Sequence, residues 1–402
     1  MDSIESYLAD ILAAIRPLPA REIALADALG AVLVDDVTAQ HDLPSFDNSS
    51  MDGYAILAAD LAEASEENPV LLPVLGEIAA GDTGSYGLVP GSAIKIMTGA
   101  PMPAGADAVV PVELTDGGTE QVAIRQPVGA GSSVRLTGGD VRPGDLLLPA
   151  GTRLGPVHIG LLAAAGHPTV MARPRPRVTV ISTGNELVDP GGELIPGQIW
   201  ESNATMLAAA AREAGCPARR HPIVRDNTDA VLAAVEEALA GADLLITSGG
   251  VSMGGEHDVV KAALGTLGTV TFRKIAMQPG MPQGFGTVGP DATPIFTLPG
   301  NPVSAYVSFL LFVRPVFDAL QDSYRERGKP RQATLAGPVS SPAGRRSYLR
   351  AVLDEAAGVV TPVSGQASHQ LASLARANVL AIVPEQVTSL DAGETVDVLE
   401  LP

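Results

Sequence analysis

The sequence predicts a multi-domain chain of the α/β plus β class, and three observations carry that reading. At 402 residues it exceeds the usual single-core limit, so about two to four domains are expected. Strand and helix patterns alternate through its middle, whereas short strands punctuated by glycine and proline fill the regions before and after. With 43 glycines, 33 prolines and only 3% aromatic residues, the cores are built from Val, Leu, Ile and Ala and joined by many turns.

The elements follow in order. Ile4, Leu8, Ile11, Leu12 and Ile15 form one apolar stripe, predicting a helix that starts at Asp2 with Glu5 as a capping box and ends at Pro17. Between residue 42 and about residue 150, "VLLPVLGEI", "AIKIMTG", "ADAVVPVEL", "VAIRQPV" and "DLLLPAGT" read as the strands of a separate β-rich module. "MARPRPRVTV", 171–180, reads as a linker into a different architecture. "VTVIST", "DLLITS" and "TPIFTLPG" are continuous apolar strands, separated by the helices "NATMLAAAAREAG", stopped by Gly215, and "TDAVLAAVEEALAGA". "NPVSAYVSFLLFVRPVFDAL" closes the series as a helix, and the alternation predicts a parallel sheet covered on both faces. After about residue 327, "ATLAGPV", "SYLRAVL", "GVVTPV", "VLAIVP" and "ETVDVLEL" predict a small C-terminal β-domain.

Composition narrows the function. A formal charge of −19 excludes a nucleic-acid partner, because phosphate contacts need clustered Lys and Arg. Any anionic ligand therefore requires positive charge concentrated at one site. The single cysteine, Cys216, is read as a small buried hydrophobe. "MDSIESYLAD" is not a secretory signal, and "YVSFLLFV" is too short to span a bilayer before Arg314 and Pro315. A cytoplasmic enzyme or binding protein, not inserted in a membrane, fits these features. His41, His158, His167, His221 and His257 stand alone and are assigned to packing or solvent. No nucleophile elbow, P-loop or Gly-x-Gly-x-x-Gly fingerprint is present.

Chemistry concentrates in four loops. In "LPSFDNSSMDGYAI", 43–56, the Asp, Asn and Ser residues suit a tight turn, with Gly53 read as supplying a positive φ. The other three, "STGNEL" (182–187), "TSGGVS" (247–252) and "LPGNPVS" (298–304), end successive strands, where a doubly wound sheet forms its ligand crevice. Gly184, Gly249, Gly250 and Gly300 let backbone N–H groups approach an anion closely. Glu186, Asp226 and Asp258 accompany these loops and suit Mg²⁺, which takes one or two carboxylates plus substrate phosphate. The alternative for Asp226, which precedes "NTDA", is a helix N-cap.

Together, "DLPSFDNSSMDGYAI", "IKIMTGAPMPAGADAVV", "ISTGNEL", "SGGVS" and "LPGNPVSA" resemble the molybdopterin molybdenumtransferases, which include bacterial MoeA and the E domain of gephyrin, over essentially the whole chain and in matching order. The resemblance implies an elongated chain with a linking subdomain, 1–41 and 141–172, and an inserted β-rich subdomain, 42–140. A molybdopterin-binding α/β domain, 173–326, and a C-terminal β-barrel, 327–402, complete it. It further implies a homodimer that takes adenylylated molybdopterin and molybdate with Mg²⁺, inserts molybdenum and releases AMP. By position, Asp52 matches the essential acid of a dimer-crossing loop, and Thr98, Arg135 and Asp140 match site-facing positions. Glu186, Asp226 and Asp258 match acids of the pterin or metal site, with metal assigned to the latter two, and Lys274 matches a phosphate-facing lysine. Thr183, Gly184, Ser202, Asn203, Ser248, Gly249, Gly250, Ser252, Pro299, Gly300, Asn301 and Pro302 match molybdopterin- or phosphate-binding positions, and Arg350 and Ser368 the molybdate pocket. From the residues alone, Arg350 alternates with apolar neighbours in "YLRAVL" and also fits an exposed strand position.

The chain departs from the family pattern twice. "MQPGMPQGFG" places Gln278 and Met281 where two lysines are expected, and "SMGGEHDVVK" is one residue longer than the usual loop, leaving Glu256 as the alternative to Asp258. A second reading is therefore a gephyrin-like dimeric scaffold binding a peptide of a membrane or cytoskeletal partner, with reduced or absent insertase chemistry. A third is a pterin carrier. Molybdate-dependent AMP release separates the first reading from both.

Overall fold

A computed structural model describes residues 1–250, 259–326, 328 and 330–402. The chain divides into two compact units. One comprises Ile23–Leu29 and Asp35–Val170; the other comprises Met1–Glu22, Gly30–Val34 and Met171–Pro402.

The smaller unit is built on a five-stranded mixed sheet of β1 (Gly53–Ile56), β2 (Val70–Ile78), β3 (Ala93–Ile96), β4 (Ala108–Pro111) and β5 (Gln121–Ile124), in the order β4-β1-β3-β2-β5. β1 is buried on both faces. Tyr54 and Ile56 pack with Leu61, Leu72, Val110 and Val122, while Ala55 packs on the other side with Ile78, Ile94 and Val109. This period of two is what a fully covered strand requires. Gly53 does not have a positive φ, which corrects the turn reading. It is glycine because the Val110 carbonyl oxygen lies 2.0 Å from where a Cβ would stand.

The larger unit opens with helix α1 (Ile4–Ala14), capped by Ser3, whose Oγ accepts from the Ser6 N–H at 3.1 Å. The cap is Ser3 and not an Asp2–Glu5 box, since the Ser3 hydroxyl already meets the free donor. Its main sheet comprises β6 (Val178–Ser182), β7 (Ala218–Arg220), β8 (Leu244–Ser248), β9 (Val270–Lys274), β10 (Pro282–Val288) and β11 (Thr293–Leu298), in the order β7-β6-β8-β11-β10-β9. The first four strands in that order are parallel, and β10 and β9 turn the sheet mixed at one edge. Part of the expected linker is strand: "MAR" belongs to Thr169–Arg173, whose Ala172 and Arg173 pair with Leu33 and Val32.

Alternate residues of the central strands face different helices. Val180, Ile246 and Phe296 pack with α2 (Asn203–Glu213) and the long helix Pro302–Leu320, which contains one π-helical segment, Phe309–Val313. Ile181, Leu245 and Ile295 pack with α3 (Thr228–Leu239) and α4 (Val259–Gly265). The helix Pro302–Leu320 is apolar and long enough for a membrane, but it is a core helix. Cys216 is buried in the same core, as expected of a small hydrophobe.

The C-terminal strands β12 (Arg331–Leu335), β13 (Arg346–Asp354), β14 (Val359–Pro362), β15 (Val379–Val383) and β16 (Thr395–Glu400) close into a barrel, since β13 pairs with both β14 and β15. Closure removes free sheet edges. Ala351 and Leu353 line the barrel core, which leaves Arg350 on the other face of β13.

Gly53→Ala is expected to destabilise the smaller unit by about 1–3 kcal/mol, as a methyl group forced into a packed site does. Gly76→Ala, with open space around its Cα, is the control and is expected to leave the urea midpoint unchanged.

Candidate functional site

The three glycine-bearing loops meet at the carboxyl edge of the sheet because β6, β8 and β11 are neighbours in it. The Thr183 N–H donates to the Ser248 carbonyl at 3.3 Å, and the Gly249 N–H donates to the Leu298 carbonyl at 3.2 Å. Gly249 has φ +100°, and a Cβ there would lie 2.9 Å from the Thr183 carbonyl oxygen, so both conformation and space demand glycine. Gly300 stacks on Gly249: its Cβ position lies 3.6 Å from the Gly249 Cα.

Asn203, at the start of α2, ties two of the loops together. Its Nδ2 donates to Ser248 Oγ at 2.8 Å and to the Gly300 carbonyl at 2.7 Å. Asn203 Oδ1 and Thr183 Oγ1 are buried and have no hydrogen-bond partner among the described residues.

Beneath them lies a group that sequence reasoning missed. Glu201 is 2% exposed, and its carboxylate accepts from Ser182 Oγ at 2.8 Å, the Ala204 N–H at 2.6 Å and Thr205 Oγ1 at 3.0 Å. Arg220 Nε stands 3.7 Å away. The carboxylate thus accepts from two of the free amides at the N-terminus of α2, those of Ala204 and Thr205, and opposes the helix dipole. Its only sequence signal is an acid one residue ahead of Ser202–Asn203.

A bonded chain continues from the loops to the barrel. Asn301 Nδ2 donates to Ser368 Oγ at 3.0 Å, and the Val303 N–H donates to the Ser368 carbonyl at 3.1 Å. One residue back, the Ala367 carbonyl accepts from Arg350 Nη2 at 3.2 Å. Arg350 is fully buried, which excludes the exposed-strand reading, because the segment Val363–Gln370 covers that face of β13. Its other bonds go to the Gly365 carbonyl at 2.7 Å and Ser373 Oγ at 3.1 Å, and Nη1 has no partner among the described residues. Burial lowers the guanidinium pKa from its ordinary value, yet arginine keeps its charge in proteins.

The remaining residues are placed as follows. Asn185 and Asp226 bond reciprocally, Asn185 N–H to Asp226 Oδ2 at 3.1 Å and Asp226 N–H to Asn185 Oδ1 at 3.2 Å. Asp226 is not the cap of α3; Asn227 is, accepting from the Asp229 and Ala230 N–H groups. The Glu186 carboxylate folds back over Gly184, both oxygens 2.7 Å from its Cβ position. Ser202 is exposed just ahead of α2, and Pro299 accepts from Ser248 Oγ at 3.4 Å. Lys274 ends β9 with an exposed ammonium that has no partner among the described residues, and the structure does not join it to this bonded chain. Gln278 Oε1 accepts from Arg345 Nη1 at 3.3 Å. Gly250 adopts φ +64° next to Gly249, while Ser252, Glu256, His257 and Asp258 lie outside the described residues.

The smaller unit gathers a second cluster. Asp52 is exposed, and its Oδ1 accepts from both the N–H and the Oγ of Thr98, each at 2.7 Å. Those bonds hold its carboxyl below the usual carboxylate range. Asp47 is held the same way by Thr137, again at 2.7 Å twice, with the same consequence. Arg135 pairs with Asn48 in a short ladder, and the Asp140 N–H donates to the Leu43 carbonyl at 3.0 Å, so both flank the loop that carries Asp52.

Thr98→Val removes a hydroxyl that favours the ionised form of Asp52, so the Asp52 carboxyl is expected to titrate at higher pH than in the parent chain. Carbon NMR of the side-chain carboxyl measures this, and an unchanged or lowered value would contradict the assignment.

Comparison with known proteins matches residues 2–166 to the MoeA N-terminal region (domains I and II), 179–319 to the probable molybdopterin binding domain, and 332–401 to the MoeA C-terminal region (domain IV). The chain is 47% identical to molybdopterin molybdenumtransferase 2 of Mycobacterium tuberculosis, with all of both chains covered. It is 38% identical to the molybdopterin molybdenumtransferase of Bacillus subtilis, over 94% of this chain and 89% of that protein. A solved molybdopterin biosynthesis MoeA protein from Pyrococcus horikoshii superimposes with a TM-score of 0.76 at 34% identity, covering 98% of each chain. Full-length likeness at this identity, on the same fold, shows that the chain belongs to the molybdopterin molybdenumtransferase family.

Proposed function

We propose that this transferase of molybdenum cofactor biosynthesis inserts molybdenum from molybdate into adenylylated molybdopterin and releases AMP. One observation carries the reading: a fully buried Arg350, with an N–H that has no acceptor among the described residues, joined through Ser368 and Asn301 to the three glycine loops. An uncompensated buried cation costs several kcal/mol, and a tetrahedral oxyanion would offset that cost with a charge-assisted bond. Molybdate is such an anion, and Arg350 with Ser368 would bind it.

The N–H groups and side chains of the loops around Thr183, Ser248 and Pro299–Pro302 would hold the pterin, with the exposed Lys274 ammonium available to its phosphate. Glu186 and Asp226 stand beside one turn and suit a hard divalent cation that shares its ligands with phosphate, so these two would hold Mg²⁺. When bound, Mg²⁺ would polarise the phosphate at which adenylate leaves. Family likeness supports a homodimer in which Asp52 of one copy serves the crevice of the other, with Arg135 and Asp140 flanking its loop.

Nothing among the described residues favours the scaffold reading. Of the two missing lysines that prompted it, the one at 278 weakens as support because Gln278 is bonded to the Arg345 guanidinium, which keeps a positive charge at that place, while Met281 still stands where the second lysine is expected. Gln278→Lys is accordingly expected to change AMP release by less than about threefold, whereas a large gain would revive the scaffold alternative.

The direct test supplies purified protein with Mg²⁺, molybdate and adenylylated molybdopterin and follows AMP by chromatography. Asp52→Asn is expected to slow turnover by about a hundredfold or more with the dimer intact by light scattering. Absence of molybdate-dependent AMP release from the parent chain would overturn the reading.

A further inference from the structure

The bonded chain from Asn203 to Arg350 has opposite character at its two ends, and this fixes the orientation of a ligand lying along it. At one end the Asn203 amide cannot be flipped. Its Nδ2 faces the Gly300 carbonyl, which only accepts, so the unpartnered atom is the acceptor-only Oδ1. The Thr183 hydroxyl beside Gly249 is buried and unpartnered too.

The carboxylate of Glu201, buried beneath this end, already accepts from the Ala204 and Thr205 N–H groups of α2. An oxyanion placed there would meet an acceptor oxygen and a helix N-terminus two of whose amides already serve a carboxylate. At the other end Arg350 bears a positive charge, and among the described residues no carboxylate bonds to it and its buried Nη1 has no acceptor.

We infer that Asn203 is a specificity-determining residue: its Oδ1 accepts an N–H of the exocyclic 2-amino group of the 2-amino-4-oxopteridine, while the oxyanion of the same reaction lies toward Arg350. This rests on the proposed function and adds to it a direction and a reason for recognising the pterin. The glycine loops, read from the sequence as an anion cradle, thereby acquire an acceptor floor that selects for donors.

The test measures binding of three probes to the full chain: a simple pterin, by quenching of its fluorescence; a 2,4-dioxopteridine, which carries a carbonyl in place of the 2-amino donor; and molybdate, by calorimetry. The parent chain is expected to bind the pterin about tenfold more tightly than the dioxopteridine, the scale of one hydrogen bond left unmade. Asn203→Ala is expected to abolish that preference while molybdate affinity changes less than about threefold. Arg350→Gln is expected to do the reverse, weakening molybdate about tenfold or more with the pteridine preference intact.

Loss of the bridge to Ser248 and Gly300 could alone disturb the loops, so Asn203→Asp is the companion variant. It keeps the acceptor and loses the bridging donors, and it is expected to retain the pteridine preference. An unchanged preference in Asn203→Ala, or a lost one in Asn203→Asp, would overturn the inference while leaving the proposed function standing. A parent chain that binds neither pterin nor molybdate would remove the proposed function and this inference together.

Discussion

A guanidinium sealed in the protein, with no carboxylate bonded to it among the described residues, is the constraint around which the larger unit is arranged. Arg350 is buried on a strand whose opposite face already lines the barrel core. Hydrogen bonds to a charged group are each worth about 1.5–3 kcal/mol, and several are needed to keep such an ion out of water. They come from one segment, Val363–Ser373, and that segment is shaped to provide them. Gln366 bonds both the N–H and the carbonyl of Arg350, and Gly365 adopts φ +84° beside Gln370. Neutral carbonyls and a hydroxyl solvate the charge but do not cancel it. The closed barrel holds β13 rigid from both sides, so the charge cannot relax outward.

The rest of the crevice answers to that charge. In a chain of net −19, a buried cation with no carboxylate bonded to it among the described residues draws an anion to its end of the crevice. The buried Glu201 disfavours one at the other end. Helix α2 would otherwise offer its free amides to any oxyanion, as helix N-termini commonly do. With Glu201 in place, that helix serves instead to carry Asn203 to the meeting point of Ser248 and Gly300. The glycines then have a steric task as well as an electrostatic one, because two loops can converge on one amide, with the third bonded alongside, only if their backbones approach closely.

Much of this was legible in the sequence, for identifiable reasons. Three glycine loops at the ends of apolar strands had to meet if the sheet was parallel, and β6, β8 and β11 are in fact neighbours. The helices around them were visible because their apolar residues recur at helical spacing. Arg350 was ambiguous because alternation reports only one covered face, and β13 is covered on both. Glu201 was invisible because an acid before a helix looks the same whether it faces solvent or a sealed network. Gly53 illustrates a third limit: a glycine required by a neighbouring strand's carbonyl looks like one required by its own φ. Asp226 and Asn227 were indistinguishable as caps, since both side chains accept at that position and only geometry chooses.

The loop that bears Asp52 solves the converse problem, since an exposed acid cannot be held by packing. Its surroundings are fixed from below, where Ser49 is buried and bonds the Met51 carbonyl, and where Asn48 and Ser49 pair with Arg135 and Val134. Its carboxylate is fixed from the side, because Thr98 grips one oxygen through two donors and leaves Oδ2 unclaimed. A single bond would leave the side chain free to rotate about it; two donors from one residue define its plane as well as its position. Asp47 receives the same treatment from Thr137 at the far end of the span. Two identical clips five residues apart hold the intervening turn at both ends, so the turn is a means of presenting an ionised, oriented carboxylate to solvent or to a partner surface. Ordering exposed side chains costs conformational entropy that burial does not return here. A loop that accepts that cost at both ends is built for a fixed geometry at Asp52.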